Sequence, residues 1–149
     1  MEILRYAAFS RDPAGGNPAG VVLDASGLTT AQMQSIAAKV GYSETAFLAG
    51  SDPVEVRYFS PLAEVPFCGH ATVAAAVAYA ERHGPGELAF QTQVGPVRVV
   101  TTADHQASLV SVAPRTAPLP EPDLRSVLAA LGWSPRDLDP DLPARVAFA

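Results

Sequence analysis

The chain has 149 residues, of which 48% are hydrophobic and 17% are charged, and its formal net charge is -5. This composition is typical of a folded domain with a real core and excludes a disordered chain. No stretch concentrates Lys or Arg, and an acidic surface repels phosphate backbones and anionic lipid, so nucleic-acid and membrane partners are not expected. The single cysteine allows no intrachain disulfide and fits a cytoplasmic location.

Turn residues and hydrophobic periodicity predict the elements of the first two thirds of the chain. A helix is predicted to begin at Thr29, because Thr29 and Gln32 have capping-box spacing, and to end at Gly41. An alanine-rich helix over 70–82 is apolar nearly all round, so it is expected to be a buried central helix. Strands are predicted at 3–9, 19–23, 45–48, 54–59, 87–92, 94–101 and 107–112.

The character of the chain changes at Pro114. Four prolines within 114–122 predict an extended linker or domain crossover. A short helix is predicted over 123–131, another turn of helix at Ser134-Pro135, and a strand over 142–148. The predicted organisation is therefore a first domain over 1–113, a Pro-rich linker over 114–122 and the start of a second domain over 123–149.

Three short segments stand out as candidates for chemistry. They are Gly-Gly-Asn-Pro-Ala at 15–19, Ser-Glu-Thr-Ala-Phe at 43–47 and Val-Pro-Phe-Cys-Gly-His-Ala-Thr at 65–72. In this order, and with Arg-Tyr-Phe-Ser-Pro at 57–61 between the last two, they resemble the phenazine-biosynthesis isomerase-like family. The resemblance is specific over residues 1 to about 100 and looser beyond them.

The resemblance implies an α+β fold, that of diaminopimelate epimerase. Such a protein has two similar lobes, each a curved, mostly antiparallel sheet wrapped round a central helix, with the active site between the lobes. Proteins of the family are about twice as long as this chain. The chain is therefore expected to be the N-terminal part of a longer protein, through truncation, cleavage or a split gene.

Glu44 is the candidate catalytic residue. Its position after a helix and before an apolar strand is compatible with a solvated loop carboxylate, the usual case for Glu. A partly buried carboxylate can instead move a proton to and from carbon, because burial brings its pKa towards the working pH. The resemblance implies the second role, since the Glu of Ser-Glu-Thr is the family's acid and base.

Gly69 and His70 open the predicted central helix. A helix N-terminus presents unpaired N–H groups and a partial positive charge, which suits a substrate carboxylate. Gly69 allows close backbone approach, and His70 is expected to act as a neutral donor, because the helix dipole disfavours the charged ring. From the residues alone, a His that merely caps the helix is an equal alternative. The resemblance implies a substrate-contacting His.

Cys68 and Asn17 complete the predicted substrate-binding set. In racemases and epimerases of this fold a Cys at the position of Cys68 is one of two catalytic thiols, but this chain has no second Cys. Cys68 is therefore expected to be a small residue lining the site. Asn17 is either a turn residue or a substrate contact, and Ser43 and Thr45 either hold Glu44 or are ordinary polar residues at a strand start; these alternatives stay open.

No cofactor and no metal site are expected. No Cys/His cluster has metal-ligand spacing, His83 and His105 lie in turn-like contexts, and no phosphate-binding or dinucleotide fingerprint occurs. The resemblance also implies an acidic residue from the second lobe facing Glu44, and none of the later aspartates (Asp104, Asp123 and Asp137) matches its motif. The expected partners are therefore a small-molecule substrate and either a second copy of the chain or a complementary second-lobe chain. The alternative function is a non-catalytic binding module that pairs with itself or another protein.

Overall fold

The computed structural model describes residues 1–111 and 113–148. The chain divides into two compact units, Met1–Val112 and Ala113–Ala149. The first unit holds β1 (Leu4–Ala8), β2 (Asn17–Val22), α1 (Thr30–Val40), β3 (Glu44–Ala49), β4 (Val54–Phe59), β5 (Glu64–Val65), α2 (Gly69–His83), β6 (Glu87–Thr92), β7 (Gly95–Thr101) and β8 (Ala107–Val110). Of the last predicted strand, Val112 lies outside the described residues, as does Ala149 at the end of the chain.

The first unit contains one eight-stranded sheet. Its order is β1-β2-β3-β4-β6-β7-β8, with β5 paired to β4. The pairs β2/β3 and β4/β6 are parallel, and every other pair in the sheet is antiparallel. The predicted strands over 45–48 and 54–59 are present as β3 and β4, which pair antiparallel across the turn at 50–53. The sheet is thus mostly antiparallel, as expected.

Helix α2 is the centre of this unit. It packs against β1, β2 and β3 and also against β7 and β8, which lie at the opposite end of the strand order. Because both ends of the sheet reach the same helix, the sheet curls round it. The small side chains of α2 allow strands to approach closely on several sides. Five of its alanines are fully buried: Ala71, Ala74, Ala75, Ala76 and Ala78. The expected central helix is confirmed.

Helix α1 covers the other face of the sheet. The capping box predicted for it is present, since the Thr29 side chain accepts from the Gln32 backbone N–H and the Gln32 side chain accepts from the Thr29 N–H. Gly41 ends the helix in the left-handed conformation, with φ at 73°. Met33 packs from this helix in a cluster with Phe47 of β3. The short connection from Gly41 therefore delivers the chain to the start of β3 at Glu44.

The second unit contains β9 (Arg115–Pro118), α3 (Glu121–Leu131), a 3₁₀ turn (Pro135–Asp137) and β10 (Arg145–Phe148). Strands β9 and β10 pair antiparallel, so part of the predicted linker is a paired strand. Helix α3 begins two residues before its predicted start, with Pro122 in its first turn, where a missing N–H costs nothing. The roles predicted for the segments 1–113, 114–122 and 123–149 stay predictions. Within the described part of the chain, no helix is long and apolar enough to cross a membrane.

Candidate active site

Glu44 is the first residue of β3 and points towards the concave side of the sheet. Ala46 and Leu48, two and four residues later, belong to the core cluster around α2. Side chains two apart on a strand share a face, so Glu44 lies on the face that α2 covers. The Glu44 side chain is 21% exposed. The carboxylate is therefore partly withdrawn from water, at the end of the strand beside the start of α2.

His70 is the second residue of α2, and its side chain is 9% exposed. Cys68, in an extended conformation, precedes the helix, and its carbonyl accepts both the Thr72 N–H and the Thr72 hydroxyl, the latter at 2.6 Å. Because the Thr72 hydroxyl donates to this carbonyl, it accepts from the Tyr58 hydroxyl, 2.7 Å away. A buried hydrogen-bond chain from β4 therefore fixes the N-terminus of α2 where His70 and Cys68 sit.

Contacts at both ring nitrogens hold the imidazole of His70. Its Nε2 lies 3.4 Å from Glu44 Oε2 and 3.3 Å from Ser43 Oγ, and its Nδ1 lies 3.2 Å from Cys68 Sγ. A ring with one proton fits this set if Nε2–H donates to the Glu44 carboxylate and Nδ1 accepts from the Cys68 thiol. Segments from two separate motifs thus meet around one ring.

The pKa of the Cys68 thiol is raised to about 11. Burial is the largest cause, and the negative charge of Glu44 adds to it, while N–H groups of Ala71 and His70 lower it in part. The group is therefore a protonated thiol at neutral pH and can donate to the imidazole. A protonated thiol is a poor nucleophile.

Asn17 lies at the start of β2 and is exposed. In the parallel pair β2/β3, Glu44 is opposite Ala19, and Asn17 is two residues before Ala19 on the same face. Among the described residues, however, the contacts that join Glu44, Cys68 and His70 do not include Asn17. The strand register therefore places Asn17 on the same face of the sheet as Glu44. It lies about two residues, or roughly 7 Å, further along the strand than the cluster of Glu44, Cys68 and His70.

Two glycines shape the approach to this edge. Gly16 has φ at 73°, and a Cβ there would lie 2.3 Å from the Ala8 carbonyl oxygen, so only glycine fits between β1 and the start of β2. At Gly69 no atom beyond the neighbouring residues and the backbone of its own helix lies within 4 Å of the position a Cβ would take. Gly69 therefore leaves space beside the first turn of α2.

Ser43 and Thr45 differ in their surroundings. The Ser43 hydroxyl contacts His70, whereas Thr45 lies on the opposite face of β3 from Glu44 and is fully buried. Its Oγ1 is buried and has no hydrogen-bond partner in the described structure. Of the two residues, only Ser43 joins the polar group around the imidazole.

The sequence did not show that Glu44, Cys68 and His70 form a cluster. One potential ligand atom from each lies within 4.8 Å of the others, although Glu44 is 24 positions before Cys68 in the chain. A search for metal-ligand spacing within one segment could not find this set. Its residues come together only because strand β3 lies beside the start of helix α2. Tyr58 and Thr72 were not predicted to support the site, although both lie in the quoted motifs, because the contact between their hydroxyls joins two separate segments of the chain.

The family described as phenazine biosynthesis-like protein matches residues 6–149. An uncharacterized isomerase of Escherichia coli K12, YddE, is 42% identical over 154 aligned positions that cover 98% of this chain and 52% of the relative. The trans-2,3-dihydro-3-hydroxyanthranilate isomerase of Pseudomonas fluorescens is 34% identical over 117 positions, covering 76% of this chain and 41% of the relative. The chain spans about half the length of the curated relatives it matches.

Solved structures agree with this fold. A phenazine biosynthesis protein of the PhzF family from Bacillus anthracis is 33% identical, with a TM-score of 0.71 over 99% of this chain and 53% of the other. A predicted epimerase from Pseudomonas aeruginosa, PA4716, is 26% identical, with a TM-score of 0.81 over 97% of this chain and 55% of the other. The expected α+β fold of the epimerase type is confirmed.

Proposed function

Because this chain belongs to the phenazine biosynthesis-like protein family, we propose that it carries the proton-transferring residue of an isomerase. Glu44 acts as general acid and base, and the reaction uses no cofactor. The substrate is a small carboxylated ring or amino-acid-like molecule. Gly69 and His70 bind it at the N-terminus of α2, with Asn17 and the Cys68 side chain lining the same edge.

One observation carries this proposal: the Glu44 carboxylate lies 3.4 Å from His70 Nε2 at the start of a buried central helix. A partly buried carboxylate beside a fixed donor is a suitable group to take a proton from carbon and return it. The positive end of the helix dipole lies at the same place and favours an anionic substrate group. The site therefore combines a base with an anchor for a carboxylate.

The proposed step conserves all atoms and electrons. Glu44 takes the proton of a C–H bond next to an activating group, and the electron pair of that bond enters the conjugated system of the substrate. The carboxyl proton exchanges with solvent, and Glu44 then delivers a proton to a different carbon of the same molecule. His70 Nε2–H donates a hydrogen bond to the Glu44 carboxylate or to the substrate during this step. The product is an isomer, so no oxidant or reductant is needed.

The substrate class draws support from two sources. One relative is named as an isomerase of trans-2,3-dihydro-3-hydroxyanthranilate, a name that denotes a carboxylated ring. The start of α2 offers the electrostatics that a carboxylate prefers. The resemblance further implies an acidic residue facing Glu44 from a second lobe. The second lobe of a longer polypeptide, a second copy of the chain or a complementary chain would supply that face.

An isomerase assay at increasing chain concentrations tests the proposal. Candidate carboxylates, with trans-2,3-dihydro-3-hydroxyanthranilate among them, are incubated with the chain, and products are separated by chromatography. Glu44→Gln should lower the rate by about 10²- to 10⁴-fold, the usual contribution of a general acid or base. Glu55→Gln is the matched control, since Glu55 is an exposed carboxylate on β4. Equal rates for the two variants would refute the assignment of Glu44.

A binding module is the second candidate function. Among the described residues of the first unit, four large apolar side chains are strongly exposed: Met1 at 73%, Phe9 at 74%, Leu62 at 92% and Val110 at 76%. Where large exposed apolar side chains lie next to one another, the surface that they form is typical of a protein–protein interface. For this function, no carboxylate would be isomerised at any chain concentration, and Glu44→Gln would leave self-association unchanged in analytical ultracentrifugation.

A further inference from the structure

We propose that Glu44, Cys68 and His70 form a zinc-binding site, and that a bound Zn²⁺ ion switches off proton transfer by occupying the Glu44 carboxylate. The binding itself stands on the geometry of the three side chains. The inhibition rests on the proposed function of Glu44. The motifs considered one at a time do not show this site, because its ligands come from the start of β3 and from the residues at the start of α2.

The donor types match those that zinc prefers. Zinc in proteins is bound by cysteine sulfur, histidine nitrogen and carboxylate oxygen, usually four in a tetrahedron. The cluster offers one of each, and their ligand atoms all lie within 4.8 Å of one another. Three protein ligands leave a fourth position for water or for a polar group of a small molecule. Hard ions such as Mg²⁺, which prefer oxygen and octahedral geometry, fit this set poorly.

Glu44 and Cys68 each lie about one tetrahedral edge length from the His70 ring, although they contact different ring nitrogens. With bonds of about 2.0 Å to nitrogen or oxygen and about 2.3 Å to sulfur, the edges of a zinc tetrahedron are about 3.3 to 3.8 Å. Cys68 Sγ lies 3.2 Å from His70 Nδ1, and Glu44 Oε2 lies 3.4 Å from His70 Nε2. A single ion takes one of the two ring nitrogens. A small turn of the ring or of the Glu44 side chain then brings all three donors onto the ion.

The charges of the site also balance. Zinc displaces the thiol proton of Cys68, which leaves to water, so a thiolate and a carboxylate neutralise the two positive charges of the ion. The N–H groups of Ala71 and His70 already point at the sulfur and would stabilise the thiolate. A neutral complex is suited to side chains that are mostly withdrawn from water. The bound cation draws negative charge from the carboxylate and makes it a weaker base, so Glu44 no longer removes a proton from carbon.

Isothermal titration of the metal-stripped chain with zinc chloride, without substrate, tests the site. One ion per chain is expected, and Cys68→Ser and Glu44→Gln should each weaken binding by about 100-fold or more, since even losing a supporting contact to a ligand costs 10- to 100-fold. His105→Asn is the matched control. His105 is an exposed histidine 3.2 Å from the carboxylate of Glu81, so it represents ordinary surface binding.

Cobalt(II) provides a second measurement on the unmodified chain. Bound to a thiolate, Co²⁺ gives an intense charge-transfer band in the near ultraviolet, which Cys68→Ser should abolish and His105→Asn should leave in place. Absence of this band in the unmodified chain would overturn the proposal, even if Cys68→Ser failed to fold. So would zinc affinity that is lost in His105→Asn but kept in Cys68→Ser. A chain that binds zinc in this way but isomerises no carboxylate would refute the proposed function and leave the metal site standing.

Discussion

Replacing Gly20 with alanine should destabilise the first unit, because Gly20 leaves no room for a side chain. Gly20 of β2 is paired with Thr45 of the parallel strand β3. A Cβ at Gly20 would lie 2.7 Å from Thr45 Oγ1 and 2.9 Å from Thr45 Cγ2. Thr45 is fully buried and branched at Cβ, so its side chain has few rotamers to which it can move.

The expected magnitude follows from two opposing terms. Forcing an extra methyl group into a filled core costs about 1 to 3 kcal/mol. Replacing glycine by alanine where the backbone tolerates it returns about 0.4 to 1 kcal/mol through the unfolded chain. Near the middle of these ranges the net loss of unfolding free energy is about 1 to 2 kcal/mol, which corresponds to about 2 to 8 °C in Tm at this chain length.

Thermal and urea unfolding of four variants measure this effect. Gly27→Ala is the control, since no atom lies within 4 Å of the position of its Cβ, and it should change stability by less than about 0.5 kcal/mol. In a Thr45→Ala background the clash is gone, so Gly20→Ala should become neutral or slightly stabilising. The packing argument would be refuted if Gly20→Ala lowered the unfolding free energy equally in both backgrounds, or did not lower it in the native background.

Three further predictions concern the surroundings of the site. Tyr58→Phe should lower the unfolding free energy, measured in urea, by about 1 kcal/mol. Thr72→Val should lower it further, because this change leaves the buried Tyr58 hydroxyl unpaired. A larger decrease for Tyr58→Phe than for Thr72→Val would contradict the hydrogen-bond chain. Arg57, at 2.7 Å from both Glu64 oxygens, lowers the pKa of that carboxyl, so the pair stabilises the fold above about pH 4.3 and loses its effect as pH falls. The stability gap between the native chain and Glu64→Gln should therefore narrow on acidification, and a gap independent of pH would count against the pair. Alkylation of Cys68 by iodoacetamide should keep rising about tenfold per pH unit beyond pH 9, since its pKa is about 11, whereas levelling near pH 8.5 would mean an ordinary thiol.

Local signals predicted most of the fold. The ends of α1 could be predicted from the Thr29–Gln32 capping box and from Gly41, because helix capping depends on residues that are close together in the sequence. The alanine-rich pattern of α2 likewise predicted burial on all sides. The strand pairing of residues 115–118 was not predicted, because its prolines are typical of a linker and its partner strand lies almost thirty residues further on.

The candidate site could be predicted only as separate pieces. The motifs indicated Glu44 and His70, but the distance between them depends on how β3 meets the start of α2. The contact of Ser43 with His70 rather than with Glu44 depends on the same docking. Thr45 was an open candidate for holding Glu44, yet the alternation of a strand turns it to the other face. Asn17 and Gly69 stay predictions as substrate contacts.

Solvent-deuterium incorporation tests most directly the claim that Glu44 removes a proton from carbon. A carboxylate that the chain isomerises is incubated in D₂O, and mass spectrometry follows the gain of one deuterium in the recovered substrate and product. Incorporation by the native chain and by Glu55→Gln, but about 10²- to 10⁴-fold slower by Glu44→Gln, is the predicted result. Deuterium incorporation at the native rate in Glu44→Gln would contradict the account and assign the proton transfer to another group.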